Sequence, residues 1–566
     1  MKSAEHNVAA AMALFDGLAA GEPLDVVVSP GSRSTPLTLA AHGHPRCRVH
    51  VVLDERAAGF FALGLGRRSG RPAALVCTSG SAATHYAPAI AEAHHAAAPL
   101  VAISANRPPE LHGLGAPQTM RQDGLFGGFV RDTTLLPVPD GEVPPAVWRA
   151  AGARARVATL GDHPGPVHLD APFREPLWSR GLSFPDAVTT TGPLRGRRQL
   201  DEAGLAALET KLAGRCGLVV AGPASPPGAD LNGVLSLASA LGWPVLADPA
   251  SGLRFGHEVI STYDVACRSS ALDALAPDVV VTLGLPPTSK SLGRWLMRHE
   301  VEIVRLDAAG RGLDPTLGLS QLVVADPNAT CAALATRALA PAPAAWLEAW
   351  RERDTCARAV IDGATAEGDW SGNLARRLLE ALGTEAQLHL ASSMPIREVD
   401  AFGAPGPRAL RVQASRGVNG IDGTLATAAG EALAHPGPTL ALVGDLTLLH
   451  DLDGLEAIGP DIALTAVVID NGGGGIFSYL PIAAHEDPAA FSELFLTPRP
   501  TAPETVARAL GHRAQRLPLA ELDARLRAAL ERPGLDVLVV PIDRETDVAR
   551  HRATYRAVAD ALGGDV

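Results

Sequence analysis

The chain lacks any apolar run approaching the roughly 18 residues that a membrane-spanning helix needs. It has no cysteine pair at CxxC spacing and no cluster of Lys and Arg. Its six cysteines (Cys47, Cys77, Cys216, Cys267, Cys331 and Cys356) lie far apart. Neither a zinc site nor a disulfide framework is expected, and most of them read as small buried residues in a reducing compartment. A formal charge of −12 argues against nonspecific nucleic-acid binding. Acidic substrates would therefore need a local basic pocket. Aromatics make up only 4% of the chain while Ala, Gly and Pro abound, which reads as genomic composition rather than function. Also missing are GxGxxG after a strand, GxxxxGK[ST], GxSxG and HExxH, so nicotinamide, P-loop, serine-hydrolase and zincin readings lose their usual support. The opening MKSAEHNVAAAMALFDGL carries Glu5, His6, Asn7 and Asp16 among its apolar residues, unlike an uninterrupted signal core. A soluble, cytoplasmic protein is expected.

What is present suits an α/β enzyme. The 566 residues are 47% hydrophobic and 19% charged, too many for one core and enough for three domains of about 180 residues. Strand-like runs at 24–29, 49–54, 73–79, 99–104 and 166–170 alternate with helical ones, which predicts a parallel sheet covered by helices on both faces. A Pro- and Gly-bearing link near 186–198 precedes a second cycle at 217–222, 244–248, 278–284 and 302–307. The Ala/Pro stretch 338–346 precedes a third, at 387–392, 409–415, 439–443, 463–469 and 536–542. The expected fold is α/β with three doubly wound parallel-sheet domains, 1–185, 195–340 and 350–566, the outer two being copies of one architecture.

The chain is organised around 438–477. Two apolar strands there stop at polar or glycine-rich turns, placing Asp445 and Asn471 where open α/β sheets bind ligands. A carboxylate, an amide oxygen and free backbone carbonyls form the oxygen set that Mg²⁺ accepts beside phosphate oxygens. Gly472 to Gly475 allow close backbone approach to a diphosphate. Taken alone, Gly-Asp after a strand is an ordinary surface turn; the pair of residues at two strand ends favours the ligand reading. In the first domain, SPGSRSTPLTLAA (29–41) puts small polar residues at a helix entrance that favours an anion, and Arg33 adds a bidentate donor for carboxylate. Asp54-Glu55-Arg56 ends the second predicted strand and opens a helix with an acidic first turn.

The Gly-Asp to Asn pattern resembles the thiamine-diphosphate motif, and implies metal ligation by Asp445, the Asn471 side chain and the Gly473 carbonyl. The chain departs from the common form of that motif, with Gly444-Asp445-Leu446 for Gly-Asp-Gly and Asp470-Asn471 for Asn-Asn. The strings SPGSRSTPL, LDERAAGFFALG, CTSGSAATHYAPAIAEA, ISANRPPEL, APQTMRQDGLFG, SRGVNGIDG and NGGGGIFSYLP narrow the likeness. They resemble the family of bacterial menaquinone-pathway 2-succinyl-5-enolpyruvyl-6-hydroxy-3-cyclohexene-1-carboxylate synthases. The resemblance is weakest across 175–275 and 320–370.

It implies thiamine diphosphate with Mg²⁺ or Mn²⁺, 2-oxoglutarate and isochorismate as substrates, and a homodimer or homotetramer with active sites between subunits. It implies that Glu55, in an apolar pocket, shares a proton with N1′ of the aminopyrimidine. Pro30, Ser79, Gly80 and Asn419 would meet the cofactor, and Ile421 would prop its bent shape. Gly444, Leu446, Thr447, Ile476 and Phe477 would complete its surroundings. Substrate groups by position are Ser32, Arg33, Arg107, Gln118, Lys290, Ser393, Arg397 and Arg416, with Ile476, Phe477 and Leu480 giving apolar contact. Lys290 is followed by Ser291 where relatives can show Arg. Two rivals share parts of this pattern: an acetolactate-synthase-like decarboxylase or carboligase, and a non-catalytic dimeric cofactor-binding protein. Retention of Glu55 beside the metal ligands argues against the latter.

Overall fold

Short apolar runs closed by Gly, Pro or Asp fold into three wholly parallel sheets in the computed structural model, which describes residues 2–406, 408–484 and 487–565. The first sheet comprises β1 (Leu24–Val28), β2 (Cys47–Val51), β3 (Ala73–Cys77), β4 (Leu100–Asn106), β5 (Thr133–Leu135) and β6 (Pro166–Pro172), in the order β2-β1-β3-β4-β6-β5. The middle sheet comprises β7 (Gly217–Ala221), β8 (Val245–Ala247), β9 (Val279–Leu283), β10 (Glu302–Leu306) and β11 (Leu319–Val323), in the order β11-β10-β9-β7-β8. The third holds β12 (Gln387–Leu390), β13 (Arg411–Ala414), β14 (Thr439–Gly444), β15 (Leu464–Asp470), β16 (Arg513–Arg516) and β17 (Leu535–Pro541). Its order, β13-β12-β14-β15-β17-β16, repeats that of the first sheet strand for strand.

Both outer sheets reverse direction beside their first strand, between β1 and β3 and between β12 and β14. Ligands of open α/β sheets bind outside the carboxyl ends of strands at such points. The turns SPGS and TSGS follow β1 and β3; Ser392-Ser393 and Asp445 follow β12 and β14. The central strands are buried along their length, β3, β4 and β6 throughout, as parallel strands covered on both faces must be. Two features differ from the expected strands. β2 ends at Val51 rather than at Asp54, because Asp54 leaves the sheet to cap the next helix, accepting from the Ala57 N–H at 2.9 Å. β5, β11 and β16 are additional, and each lies at a sheet edge where half-exposed sequences such as LSQLV and RAQR carry no continuous apolar run.

By packing, the chain forms two units. One holds the first sheet together with Arg416–Pro436 and Asp451–Gly459; the other holds the middle and third sheets. In the first unit, helix Glu55–Ser69 has an acidic first turn, Arg67 and Arg68 in its last turn and Gly70 at φ 66° as its stop. It crosses helix Thr424–Leu433 at glycines on both sides. A Cβ on Gly64 would lie 2.1 Å from the Thr427 carbonyl oxygen, and one on Gly430 would lie 2.0 Å from that of Phe61. Gly64→Ala and Gly430→Ala are each expected to cost about 1–3 kcal/mol. Urea denaturation checks this against Gly363→Ala, where the added Cβ meets nothing within 4 Å. Among the described residues no helix is long and apolar enough to cross a membrane.

Candidate active site

In the first unit the SPGS and TSGS turns interlock. The Ser29 hydroxyl donates to the Val52 carbonyl at 2.9 Å, and the Arg33 N–H donates to Thr78 Oγ1 at 3.3 Å. Gly31 passes so near Thr78 that a Cβ would lie 2.4 Å from the Thr78 Cβ. Pro30 and Ser32 are exposed at the tip. Arg33 instead turns inward, donating to the Phe173 carbonyl at 3.0 Å and to Glu175 Oε1 at 2.9 Å. Glu175 is itself 71% exposed, so a substrate carboxylate could replace it without opening the core.

Ser79, Arg107 and Gln118 form one hydrogen-bonded group. The Ser79 hydroxyl donates to the Gln118 carbonyl at 2.9 Å, Gln118 Nε2 donates to the Ser79 carbonyl at 3.0 Å, and the Arg107 guanidinium donates to Ser79 Oγ. Burial, then the like charge of nearby Arg33, hold Arg107 below its ordinary value. Arg33 and Arg107 thus feel each other's charge, with Glu175 partly offsetting it, and an anionic ligand taking the place of Glu175 would meet both. Behind them stand residues that the sequence reading missed. Gln122 Oε1 accepts from Gly80 N–H at 3.2 Å, and its Nε2 donates to Asp170 at 3.0 Å. Asn106 donates to Asp170 at 2.8 Å and accepts from the Arg107 N–H. A cavity of about 670 Å³ is bordered by Asn106, His112, Thr119, Gln122 and Asp170.

Glu55 opens its helix half-buried in the single chain, less enclosed than the expected apolar pocket. Its charge reaches Tyr86 and Cys77, both pushed up chiefly by burial. The loop bearing Arg416, Asn419 and Ile421 belongs to the same unit. Buried Glu92, another residue not anticipated, accepts from Gly417 N–H at 2.8 Å and Val418 N–H at 2.7 Å. Asp451 caps helix Thr424–Leu433 by accepting from Leu425 N–H and Ala426 N–H.

In the second unit, Asp445 and Asn471 stand directly after β14 and β15, as expected. Asp445 is 7% exposed. Its two oxygens accept from Leu446 N–H at 2.8 Å and Gly473 N–H at 2.7 Å. Burial, with Asp470 close by, pushes its carboxyl up to about 6. Gly473 has φ 125°, and a Cβ there would lie 2.1 Å from the Leu496 carbonyl oxygen, so no side chain fits. The Asn471 amide lies against Gly475, where a Cβ would lie 2.3 Å from its Nδ2. Asp470, which takes the place of the usual Asn, pairs with Arg516, and Arg516 also binds Glu504 at 2.9 Å. Asp445, Asp470, Gly472, Arg499 and Arg516 line a cavity of about 220 Å³. A buried carboxylate with no cationic partner among the described residues, beside amide and carbonyl oxygens, fits a hard divalent cation, and Arg499 and Arg516 at the same cavity fit a diphosphate.

Ser393 and Arg397 begin helix Met394–Phe402, with Arg397 donating to the Ser393 carbonyl. Ile476 and Phe477 lie half-buried on the 3₁₀ helix Gly475–Tyr479, and Leu480 follows, exposed. Lys290 is exposed at the first position of helix Lys290–Arg298, while Ser291 is buried against Asp264, donating to its carbonyl at 2.6 Å. Backbone strain marks this set. Gln118, Ser393 and Asn419 are three of eight non-glycine residues with positive φ among those described, and such strain gathers at functional sites.

Family comparisons agree with the geometry. Residues 8–125 match the thiamine pyrophosphate enzyme N-terminal TPP-binding domain, and residues 201–390 match the middle domain of thiamine pyrophosphate enzymes. The chain is 40% identical to the 2-succinyl-5-enolpyruvyl-6-hydroxy-3-cyclohexene-1-carboxylate synthase of Geobacillus kaustophilus, over 97% of each chain. It is also 40% identical to that of Chloroflexus aurantiacus, over 97% of this chain and 96% of the other. For that of Halorubrum lacusprofundi the identity is 39%, over 88% and 87%. Identity at this level along nearly the whole length, on three parallel sheets with the motif turns at their strand ends, shows that the chain belongs to the 2-succinyl-5-enolpyruvyl-6-hydroxy-3-cyclohexene-1-carboxylate synthase family of thiamine-diphosphate enzymes.

Proposed function

We propose that this enzyme decarboxylates 2-oxoglutarate and adds the remaining four-carbon unit to the ring alkene of isochorismate, releasing CO₂ and forming 2-succinyl-5-enolpyruvyl-6-hydroxy-3-cyclohexene-1-carboxylate. The observation that carries this reading is the end-to-end likeness to synthases of that product. Asp445, Asn471 and the Gly473 carbonyl would hold Mg²⁺ or Mn²⁺; that carbonyl accepts from Gly475 N–H at 2.8 Å and keeps a second lone pair. Bound thiamine diphosphate would supply the nucleophilic carbon at which the 2-oxo acid loses CO₂. Glu55 would hold a proton toward N1′, the SPGS and TSGS turns with Asn419 and Ile421 would surround the pyrimidine, and Gly444, Leu446 and Thr447 would help hold the diphosphate.

Both substrates are dianions and the chain carries −12, so Arg33, Arg107, Arg397 and Arg416, with Lys290, serve as carboxylate handles. Holding unreactive carboxylates lowers the entropic barrier to joining two fragments. Ser32, Gln118 and Ser393 add hydrogen bonds, and Ile476, Phe477 and Leu480 exclude water. Because guanidinium binds carboxylate bidentately and ammonium does not, Arg107→Lys should lower kcat/KM by about 10- to 150-fold, the effect of roughly 1.5–3 kcal/mol for one charged hydrogen-bonding partner. Stopped-flow of the two half-reactions assigns the loss to one substrate.

A dimer or tetramer with sites between subunits follows from the same reading. Val51 and Leu53, just ahead of Glu55, are 68% and 67% exposed in the single chain, and a second subunit covering them would enclose Glu55 as well. Leu53→Asp is expected to shift the protein toward monomer in light scattering and to weaken cofactor binding in parallel. The activity itself is tested by incubating the protein with 2-oxoglutarate, isochorismate, thiamine diphosphate and Mg²⁺. Isochorismate absorbance should fall only when all four are present. Consumption of 2-oxoglutarate with isochorismate untouched would move the assignment to a simple decarboxylase.

A further inference from the structure

A buried polar network in the second unit lies outside every group assigned so far. His551 (1% exposed), on helix Arg544–Leu562, sits among Trp370, Phe402, Tyr479 and Tyr555, with ring centroids 4.9–6.1 Å away. Its Nε2 lies 2.9 Å from Glu398 Oε2, and its Nδ1 lies 2.8 Å from the Asp547 carbonyl and 3.0 Å from the Tyr479 hydroxyl. A carbonyl only accepts, so Nδ1 carries a proton. The Tyr479 hydroxyl then donates to Asp547 Oδ2 at 3.1 Å, while Ser371 N–H and Oγ–H donate to Asp547 Oδ1 at 2.8 and 2.7 Å.

Glu398, Asp547 and His551 lie close enough to hold an ion. However, His551 Nε2, His551 Nδ1, Glu398 Oε2 and both Asp547 oxygens are already engaged in hydrogen bonds, which leaves only Glu398 Oε1 unengaged in this cluster, so the geometry is that of a hydrogen-bonded network. Burial would lower the His551 pKa, but the Glu398 charge and hydrogen bond, with Asp547, raise it to about 9. Burial pushes the Glu398 carboxyl up as well, so the pair is a clamp made by the 2.9 Å Nε2–Oε2 hydrogen bond, whichever partner carries the proton.

What the clamp joins gives it meaning. Glu398 adjoins Arg397 on the helix that begins after Ser393, and Tyr479 ends the 3₁₀ helix that carries Ile476 and Phe477. That 3₁₀ helix fully buries only Gly475 and packs Phe477 against Phe495 at 5.5 Å, so the hydrogen bonds at Tyr479 add a directional tie to a modest apolar anchorage. We propose that His551 is a positioning residue whose bonds to Glu398 and Tyr479 lock the Arg397 helix and the Ile476-Phe477 helix in register, so that the carboxylate handle and the apolar contacts act on one substrate together. This rests on the substrate roles proposed above for Arg397, Ile476 and Phe477.

The test uses Tyr479→Phe, which removes one hydroxyl and leaves the aromatic packing, and the double variant Glu398→Leu/His551→Phe, which replaces the clamp by apolar groups while Asp547 keeps its hydrogen bonds from Ser371 and Tyr479. Both should bind thiamine diphosphate and Mg²⁺ as wild type does. KM for at least one substrate should rise about three- to tenfold, the effect of one lost hydrogen bond, with kcat changed less. A cycle with Arg397→Lys separates positioning from bulk stability. If Tyr479 acts through the register of Arg397, Tyr479→Phe should have little further effect in the Arg397→Lys background. KM values within twofold of wild type, or effects that simply multiply in the cycle, would overturn the proposal. Wild-type protein that leaves isochorismate untouched would instead overturn the functional reading, so the two failures are told apart by the unmutated enzyme.

Discussion

Asp445→Ala should abolish retention of thiamine diphosphate and Mg²⁺. Asp445 is a buried carboxylate whose oxygens take two backbone N–H bonds and whose charge is opposed by neighbouring Asp470, of the same sign. That arrangement is unfavourable by itself and would become favourable with a divalent cation held beside Asp445. Removing the carboxylate therefore separates two quantities. The cofactor-free variant should melt close to cofactor-free wild type, because relief of the like-charge contact with Asp470 offsets the loss of the two backbone N–H bonds that Asp445 accepts. Wild type should rise in Tm on adding cofactor and Mg²⁺, as any ligand that binds only the folded state requires; the gain is about 2.7 kcal/mol at a concentration 100 times Kd. The variant should show no rise. Asn471→Ala should act in the same direction but more weakly, since an amide oxygen contributes no charge. Stoichiometric cofactor in purified Asp445→Ala would mean that the strand-end turn has been misread.

Glu55→Gln is expected to leave cofactor binding nearly intact while slowing exchange of the C2 proton of bound thiamine diphosphate by about 10²–10⁴-fold, the usual contribution of a general acid–base group. Glutamine keeps the length and the hydrogen-bonding capacity of the side chain at the first position of helix Glu55–Ser69. It cannot hold a transferable proton toward N1′. The helix is fixed independently of that carboxyl group, by the Asp54 cap and by the glycine crossing with helix Thr424–Leu433, so the substitution should not displace the backbone. Proton exchange followed by NMR after acid quench measures the effect directly, and an exchange rate equal to that of wild type removes Glu55 from this role.

The central elements were legible because a parallel strand covered on both faces must be apolar along its length and must stop at a polar or glycine turn. AALVC, LVAIS, TLALVG and LTAVVID announce themselves, and with them the places of Ser79, Asp445 and Asn471. The edge strands Thr133–Leu135, Leu319–Val323 and Arg513–Arg516 did not, since a half-solvated strand has no such constraint and its pairing is settled by its neighbour. The residues that support the site were hidden for a related reason. Glu92 holds the Gly417-Val418 turn from more than 300 positions away, and Asp170 reaches Asn106 and Gln122 only because β4 and β6 are neighbours. Glu398, Tyr479 and His551 meet across three elements. A buried polar group costs free energy unless it finds a partner, yet nothing local names that partner. The order of the strands chooses it, so motif residues could be read from the chain while the network that holds them required the fold.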